Sequence, residues 1–334
     1  MNTATIRRRI LDWFAEHKRD LPWRGTRDPY RIWISEIMLQ QTRVAAVIPY
    51  YERFLARFPD PAALAAAPEQ ELLAAWAGLG YYSRARNLQK AAKKILELGG
   101  FPRDYPSIRD LPGVGDYTAA AIASIAFDLR FAALDGNVMR VLSRLTAQVA
   151  DIRSAIARQT LRGFADRLVD PRRPGDFNQA LMELGATVCL PRNPKCSSCP
   201  VVRQCLAHQL GKQNELPLKL GVAGAEKVAK RLLVIEKKGK VLAWQRPAGS
   251  RRLAGFWELP EPEQVPAASV GARIAGFRHT IVNTNYAIEV CRASLVRTPK
   301  GFYWIGTKNL HEVPLSTTAK KALACLSGQG ARND

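Results

Sequence analysis

Four cysteines, Cys189, Cys196, Cys199 and Cys205, fall in one short basic run with gaps of six, two and five residues. The remaining cysteines, Cys291 and Cys325, stand alone. Thiolates packed this closely need a counter-charge, and in an intracellular enzyme that means a metal centre more often than a disulfide framework. Structural zinc usually draws its ligands from two tight pairs separated by a longer loop. Here a single run supplies all four, with wide outer gaps and one tight inner gap. That spacing suits a cubane wrapped by one loop, so a [4Fe-4S] cluster is expected, with zinc as the alternative. The rest of the fold must then brace that loop.

Charge gives the second bound. Lys and Arg number 50 against 29 Asp and Glu, a formal net charge of +21. The basic residues are dispersed rather than gathered in a tail, which predicts a folded protein with a positive surface. Such a surface attracts phosphate backbones without regard to sequence, and nucleic acid is the expected partner. Met1 to Arg24 reads as an amphipathic helix, with Ile6, Ile10, Leu11, Trp13 and Phe14 interleaved with Arg7, Arg8 and Arg9. It has no continuous apolar core of the kind a secretory signal needs, and Asp12, Glu16 and Asp20 argue against a transit peptide. No stretch approaches membrane-spanning length. The expected location is cytoplasmic, at the nucleoid, with no membrane partner.

At 334 residues, two domains are expected. From Asp28 to Leu210 the chain reads as short helices. Asp28-Pro29 and Asp60-Pro61 each set a capping carboxylate before a first-turn proline. Residues 81–98, 152–169 and 176–187 carry a clear 3.6-residue period. Residues 211–229 look like a linker. Beyond it, Arg231–Glu236 and Lys240–Gln245 flank a Lys-Lys-Gly turn, a hairpin signature. Strand patterns continue at Phe256–Leu259, Arg273–Arg278, Tyr286–Leu295 and Phe302–Ile305, and 316–326 closes as a helix. The order is all-α followed by α+β.

Three features of the helical half carry chemistry. Leu111-Pro112-Gly113-Val114-Gly115 precedes the periodic run Tyr117–Phe127, which predicts a turn that offers backbone N–H groups to a phosphate. Asp135, in Leu134-Asp135-Gly136-Asn137, is placed to cap the following helix; it could also face the sugar of a bound nucleotide and stabilise an oxocarbenium-like state. Glu36 has Ile32, Trp33 and Leu39 as helical neighbours. Burial on that face would raise its pKa and poise it as a general acid, unless the helix turns this position to water.

These segments resemble a known family. Leu21-Pro22-Trp23-Arg24, Ser35-Glu36-Ile37-Met38-Leu39-Gln40-Gln41-Thr42, Gly78-Leu79-Gly80-Tyr81-Tyr82-Ser83-Arg84, Leu111–Gly115, Leu134–Val141 and the cysteine run occur in the order found in MutY-type adenine DNA glycosylases. Those enzymes are a branch of the helix-hairpin-helix superfamily that includes endonuclease III. The match spans roughly residues 6–210. It implies a multi-domain protein: a helix-hairpin-helix catalytic region over 1–210, with a six-helix barrel over about 24–127 and a [4Fe-4S] loop over 189–205. A 211–229 linker, a Nudix-like α+β domain over 230–326 and a tail over 327–334 would follow.

The resemblance also assigns roles. Adenine opposite 8-oxoguanine or guanine in double-stranded DNA would be flipped into a pocket formed by Trp23, Arg24 and Gln179. Glu36 would protonate it, Asp135 would stabilise the cation at C1′, and Tyr117 and Asn137 would orient that pair. Gln41 and Tyr81 would fill the vacated stack, and Gly113, Val114 and Gly115 would hold a phosphate. Tyr117 stands where lyase relatives carry a lysine, which implies a monofunctional enzyme; a monomer is expected. In the C-terminal domain the resemblance points to His279, Val282, Asn283 and Thr284 for lesion recognition. There the family's Phe-Ser-His loop is replaced by Ile281, Val282 and Asn283, and the Glu-rich box of Nudix hydrolases is missing. Asp116 is a further departure, an acid beside the phosphate turn.

Overall fold

The computed structural model describes residues 2–219, 226–247, 249–250, 253–281, 284–310 and 313–325. The chain divides into two compact units. Among the described residues, the first takes 2–68 and 83–219, and the second takes Glu69–Tyr82 and those from Glu226 onward. Among the described residues no helix is long and apolar enough to cross a membrane.

The first unit is helical. It contains α1 (Thr3–His17), α2 (Pro29–Leu39), α3 (Val44–Arg57) and α4 (Pro61–Ala66). After α5 (Glu69–Ala75), which groups with the second unit, come α6 (Ser83–Glu97), α7 (Tyr105–Arg109), α8 (Asp116–Phe127) and α9 (Gly136–Leu145). α10 (Ala155–Leu168), α11 (Pro174–Thr187) and α12 (Leu206–Gln209) complete it. Local chemistry sets the starts of these helices. Asp28 accepts from the Tyr30 amide with Pro29 in the first turn, and Asp60 accepts from the Ala63 amide with Pro61 in the first turn. α8 is buried on every side from Thr118 to Ser124, which makes it the centre of the unit, packed by α2, α7 and α11. A second core joins α1, α9, α10 and α11 through Ile10, Phe14, Leu142, Leu161, Phe177 and Leu184, and Cys189, Cys199 and Cys205 pack against it.

The second unit is α+β. Its strands are β1 (Glu226–Lys237), β2 (Lys240–Gln245), β3 (Trp257–Glu258), β4 (Ser269–Ile281), β5 (Thr284–Ser294) and β6 (Phe302–Gly306), followed by α13 (Thr317–Ala324). The sheet order is β3-β2-β1-β5-β4, with β6 also pairing β2; β1 and β5 run parallel and the other pairs are antiparallel. α13 covers one face through Ala319 and Ala322 against Leu232, Val234, Ile288 and Val290. The expected Lys-Lys-Gly hairpin turn is present, with Lys238 at φ 48° and Gly239 at φ 69°, the two positive values a tight primed turn requires.

Two boundaries differ from expectation. β1 begins at Glu226, inside the expected 211–229 linker, because Glu226 to Ile235 pair in parallel with Thr284 to Ala293. That partner lies far along the chain and leaves no local signature. The segment Glu69–Tyr82, expected within a barrel over 24–127, groups with the second unit, where the Tyr82 ring packs 4.1 Å from that of Phe256.

Candidate active site

A cavity of about 720 Å³ opens in the first unit. α2 contributes Glu36 and α8 contributes Tyr117. Asp135 and Asn137 come from the start of α9, Gln179 and Glu183 from α11, and Trp23, Arg24 and Arg19 from the loop after α1. Gln41 lies on the rim, exposed, with its backbone in the left-handed region at φ 60°. A non-glycine residue there costs about 1–2 kcal/mol, so the surrounding structure must hold that turn.

Glu36 is 6 % exposed, and its Oε2 has no hydrogen-bond partner among the described residues. Burial raises its pKa from 4.5 to about 7; a hydrogen bond from Tyr117 opposes the rise and the negative charge of Asp135 adds to it. The phenol of Tyr117 is held well above its ordinary value by burial, then by the charges of Glu36 and Asp135. The two carboxylates therefore share one site and feel each other. They differ in solvation: Asp135 is half-buried and fully hydrogen-bonded. Its Oδ1 accepts from the Val138 amide at 2.6 Å, capping α9, and its Oδ2 accepts from Asn137 Nδ2 at 3.0 Å. Capping and facing the cavity thus coexist.

Asn137 is itself fixed. Its Oδ1 accepts from Arg140 Nη2 at 2.9 Å, and Arg140 also donates to the carbonyls of Gly185 and Cys189. α11 approaches through bare backbone here: a Cβ on Gly185 would sit 2.9 Å from Cβ of Asn137. One turn back, Gln179 and Glu183 sit four residues apart on the cavity face of α11. The Glu183 side chain is 1 % exposed and accepts from Arg19 Nε at 2.6 Å and from Arg24. Burial alone would raise its pKa, but the hydrogen bonds from Arg19 and Arg24 outweigh it and hold the carboxyl below its ordinary value. Trp23 is buried and meets Tyr51 edge-on at 5.3 Å. No local pattern marks Arg19, and the four-residue spacing of Glu183 from Gln179 is the one sequence signal for Glu183.

The glycine turn needs one correction. Val114 is 7 % exposed and its N–H bonds to the Leu111 carbonyl at 3.0 Å, so this amide closes the turn and does not face outward. Gly113, at φ 79°, is required as glycine, because a Cβ would sit 2.7 Å from Cβ of Asn87. Gly115 is exposed and heads α8 without a side-chain cap, which leaves the first-turn amides of that helix facing out. Asp116 is paired with Arg109 at 2.5 Å, so the acid beside this turn is matched by a cation. Tyr81 is 50 % exposed at a left-handed turn and belongs to the second unit.

The four thiols Cys189, Cys196, Cys199 and Cys205 line a separate small cavity with Arg144 and His208. Buried Arg144 donates to Cys189 Sγ at 3.3 Å and to the Leu190 carbonyl at 2.6 Å. Among the described residues no three Cys, His, Asp or Glu side chains converge as they would on one bare ion. In the second unit, His279 lies within β4 opposite Tyr286, its pKa lowered by burial and by Lys321; Thr284 opens β5. Val282 and Asn283 lie outside the described residues.

The family described as HhH-GPD superfamily base excision DNA repair protein matches residues 34–165. Across 98 % of this chain and 74 % of its counterpart, the sequence is 37 % identical to the adenine DNA glycosylase of Homo sapiens. The chain belongs to the adenine DNA glycosylase family. It is therefore a DNA N-glycosylase of base-excision repair. The adenine DNA glycosylase of Rattus norvegicus is 49 % identical over 68 % of this chain and 46 % of its own length. Among solved structures, a thermostable thymine-DNA glycosylase aligns with a TM-score of 0.58 and 33 % identity, over 62 % of this chain and 97 % of that one.

Proposed function

We propose that this adenine DNA glycosylase hydrolyses the N-glycosidic bond of adenine opposite 8-oxoguanine or guanine in duplex DNA, without a lyase step. One observation carries the reading: a buried carboxyl with a pKa of about 7 shares a cavity with a second, hydrogen-bonded carboxylate. The adenine enters the cavity as an extruded base, since its glycosidic bond is out of reach within the duplex. Glu36 donates its proton to N7, so the base departs neutral, and then assists water. Asp135 stabilises the positive charge that develops at C1′. Tyr117 and Asn137 fix the two carboxylates. Trp23, Arg24 and Gln179 enclose the base, and Glu183, whose two oxygens accept from Arg19 and Arg24, holds those arginines in place.

Gln41 and Tyr81 would occupy the space the base leaves, and the amides at Gly113, Gly115 and the first turn of α8 would hold a phosphate. Cys189, Cys196, Cys199 and Cys205 would hold a [4Fe-4S] cluster. All four thiols line one small cavity, and their single run with gaps of six, two and five residues suits such a group. A group held there would brace the end of α9 through Arg144, which donates to Cys189 Sγ. A chromosomal substrate puts the work at the nucleoid of the cytoplasm. Purified protein is expected to contain iron and sulfide in equal amounts; zinc without sulfide would overturn the cluster.

The functional test is single-turnover release of adenine from duplexes in which it faces 8-oxoguanine, guanine or thymine, with and without alkali. Release from the first two and not the third is expected, with strand scission only after alkali. Tyr117 is a phenol held far from ionisation and cannot form a Schiff base with the sugar. Efficient borohydride trapping of the wild-type protein on DNA would exclude the monofunctional mechanism and favour an endonuclease III-type reaction.

A further inference from the structure

Arg84 lies in the first turn of α6, where a cation opposes the positive end of its own helix. Its guanidinium serves another helix. Nη1 donates to the carbonyls of Ile37 at 2.7 Å, Met38 at 3.2 Å and Gln40 at 2.7 Å. These carbonyls belong to the last turn and cap of α2, where the helix supplies too few amide donors. Immediately before them is Glu36, and immediately after is Gln41 with its left-handed backbone. Gln40 also reaches Thr118 on α8, Nε2 to Oγ1 at 3.4 Å. The end of α2 is thus tied from two sides, with the guanidinium holding three acceptors around a single nitrogen.

We propose that Arg84 is a positioning residue that presets the Gln41 turn for entry into the opened duplex. The proposal rests on the reading of Gln41 given above. Arg84 touches no reacting atom and acts on geometry; a purely structural tie between α2 and α6 would affect folding alone. The three contacts to the end of α2 all come from Nη1, and a lysine ammonium keeps three N–H donors for these carbonyls.

The test uses the full-length protein with Arg84→Met, Arg84→Lys, Gln41→Ala and the Arg84→Met/Gln41→Ala double variant. Affinity for a duplex bearing a tetrahydrofuran abasic analogue opposite guanine is measured beside single-turnover adenine release and thermal midpoint. Arg84→Met should weaken analogue binding about tenfold and slow release about 100-fold, the scale of a displaced positioning group. Arg84→Lys should stay within about threefold of wild type, and the double variant within about twofold of Gln41→Ala alone. Losses that multiply in the double variant, or a lysine variant as impaired as the methionine one, overturn the proposal. Should Arg84→Met fail to fold, Arg84→Lys decides: retained binding supports the proposal and lost binding in a folded protein refutes it. If the wild type released no adenine, the glycosylase reading would fall while the binding arm still tested Arg84.

Discussion

Glu36→Gln is expected to lower single-turnover adenine release by about 10³–10⁴-fold, the range of a lost general acid, while binding of mispaired duplex stays within a few-fold. Gln keeps the shape and can still accept from Tyr117, but carries no proton to give. The same change should stabilise the fold. Wild-type Glu36 titrates near 7 when folded, against 4.5 for a glutamate free in water. Between those values the native state binds the proton that the unfolded chain releases, so stability falls as pH rises through this window. The penalty is absent below 4.5 and complete above about 7, where the shift corresponds to on the order of 3 kcal/mol. Glu36→Gln should therefore melt higher than wild type at pH 8, with the difference vanishing near pH 4. Denaturant titrations at both pH values check this; equal midpoints at pH 8 would show Glu36 solvated, and the proposed acid would be lost.

The second large effect is expected at Asp135. Asp135→Asn should slow release about 10²–10³-fold, the scale of removing a preorganised charge from a developing cation. The cap on α9 survives, because Oδ1 of asparagine can accept from Val138, and the melting midpoint should move little. The other oxygen becomes an amide facing the Asn137 amide that now donates to it, and Asn137 cannot turn over without losing Arg140. A second consequence has a definite sign. Asp135 raises the pKa of Glu36, so its neutralisation lowers that pKa. The alkaline limb of the rate profile, centred near 7 in wild type, should shift to lower pH in Asp135→Asn. A limb that stays put would mean that the two carboxylates do not interact.

Much of the site was legible in the sequence because its chemistry sits in short contiguous phrases. Glu36 lies in an apolar helix face, Asp135 precedes a helix start, and the cysteines occupy one run. What escaped was long-range. Arg19 and Glu183 meet across 164 residues, and nothing local to Arg19 marks it as their partner. Val114 was assigned to the phosphate turn because glycine spacing indicates where a turn lies, not which of its amides is spent closing it. The early start of β1 depends on β5, whose parallel pairing no neighbouring residue announces. The grouping of Glu69–Tyr82 includes a ring contact between Tyr82 and Phe256, 174 residues apart, which no local pattern announces. Sequence phrases thus carry reagents well and the matching of distant surfaces poorly.

Gly185 sets the spacing between α11 and Asn137 by having no side chain at all. Even a methyl group there would need Asn137 or the helix to recede by several tenths of an ångström. The proposed catalytic constellation is gauged against bare main chain, which leaves no graded series of substitutions through which that distance can drift. Variation at this point should behave as a threshold, with glycine functional and the smallest enlargement already a loss of register.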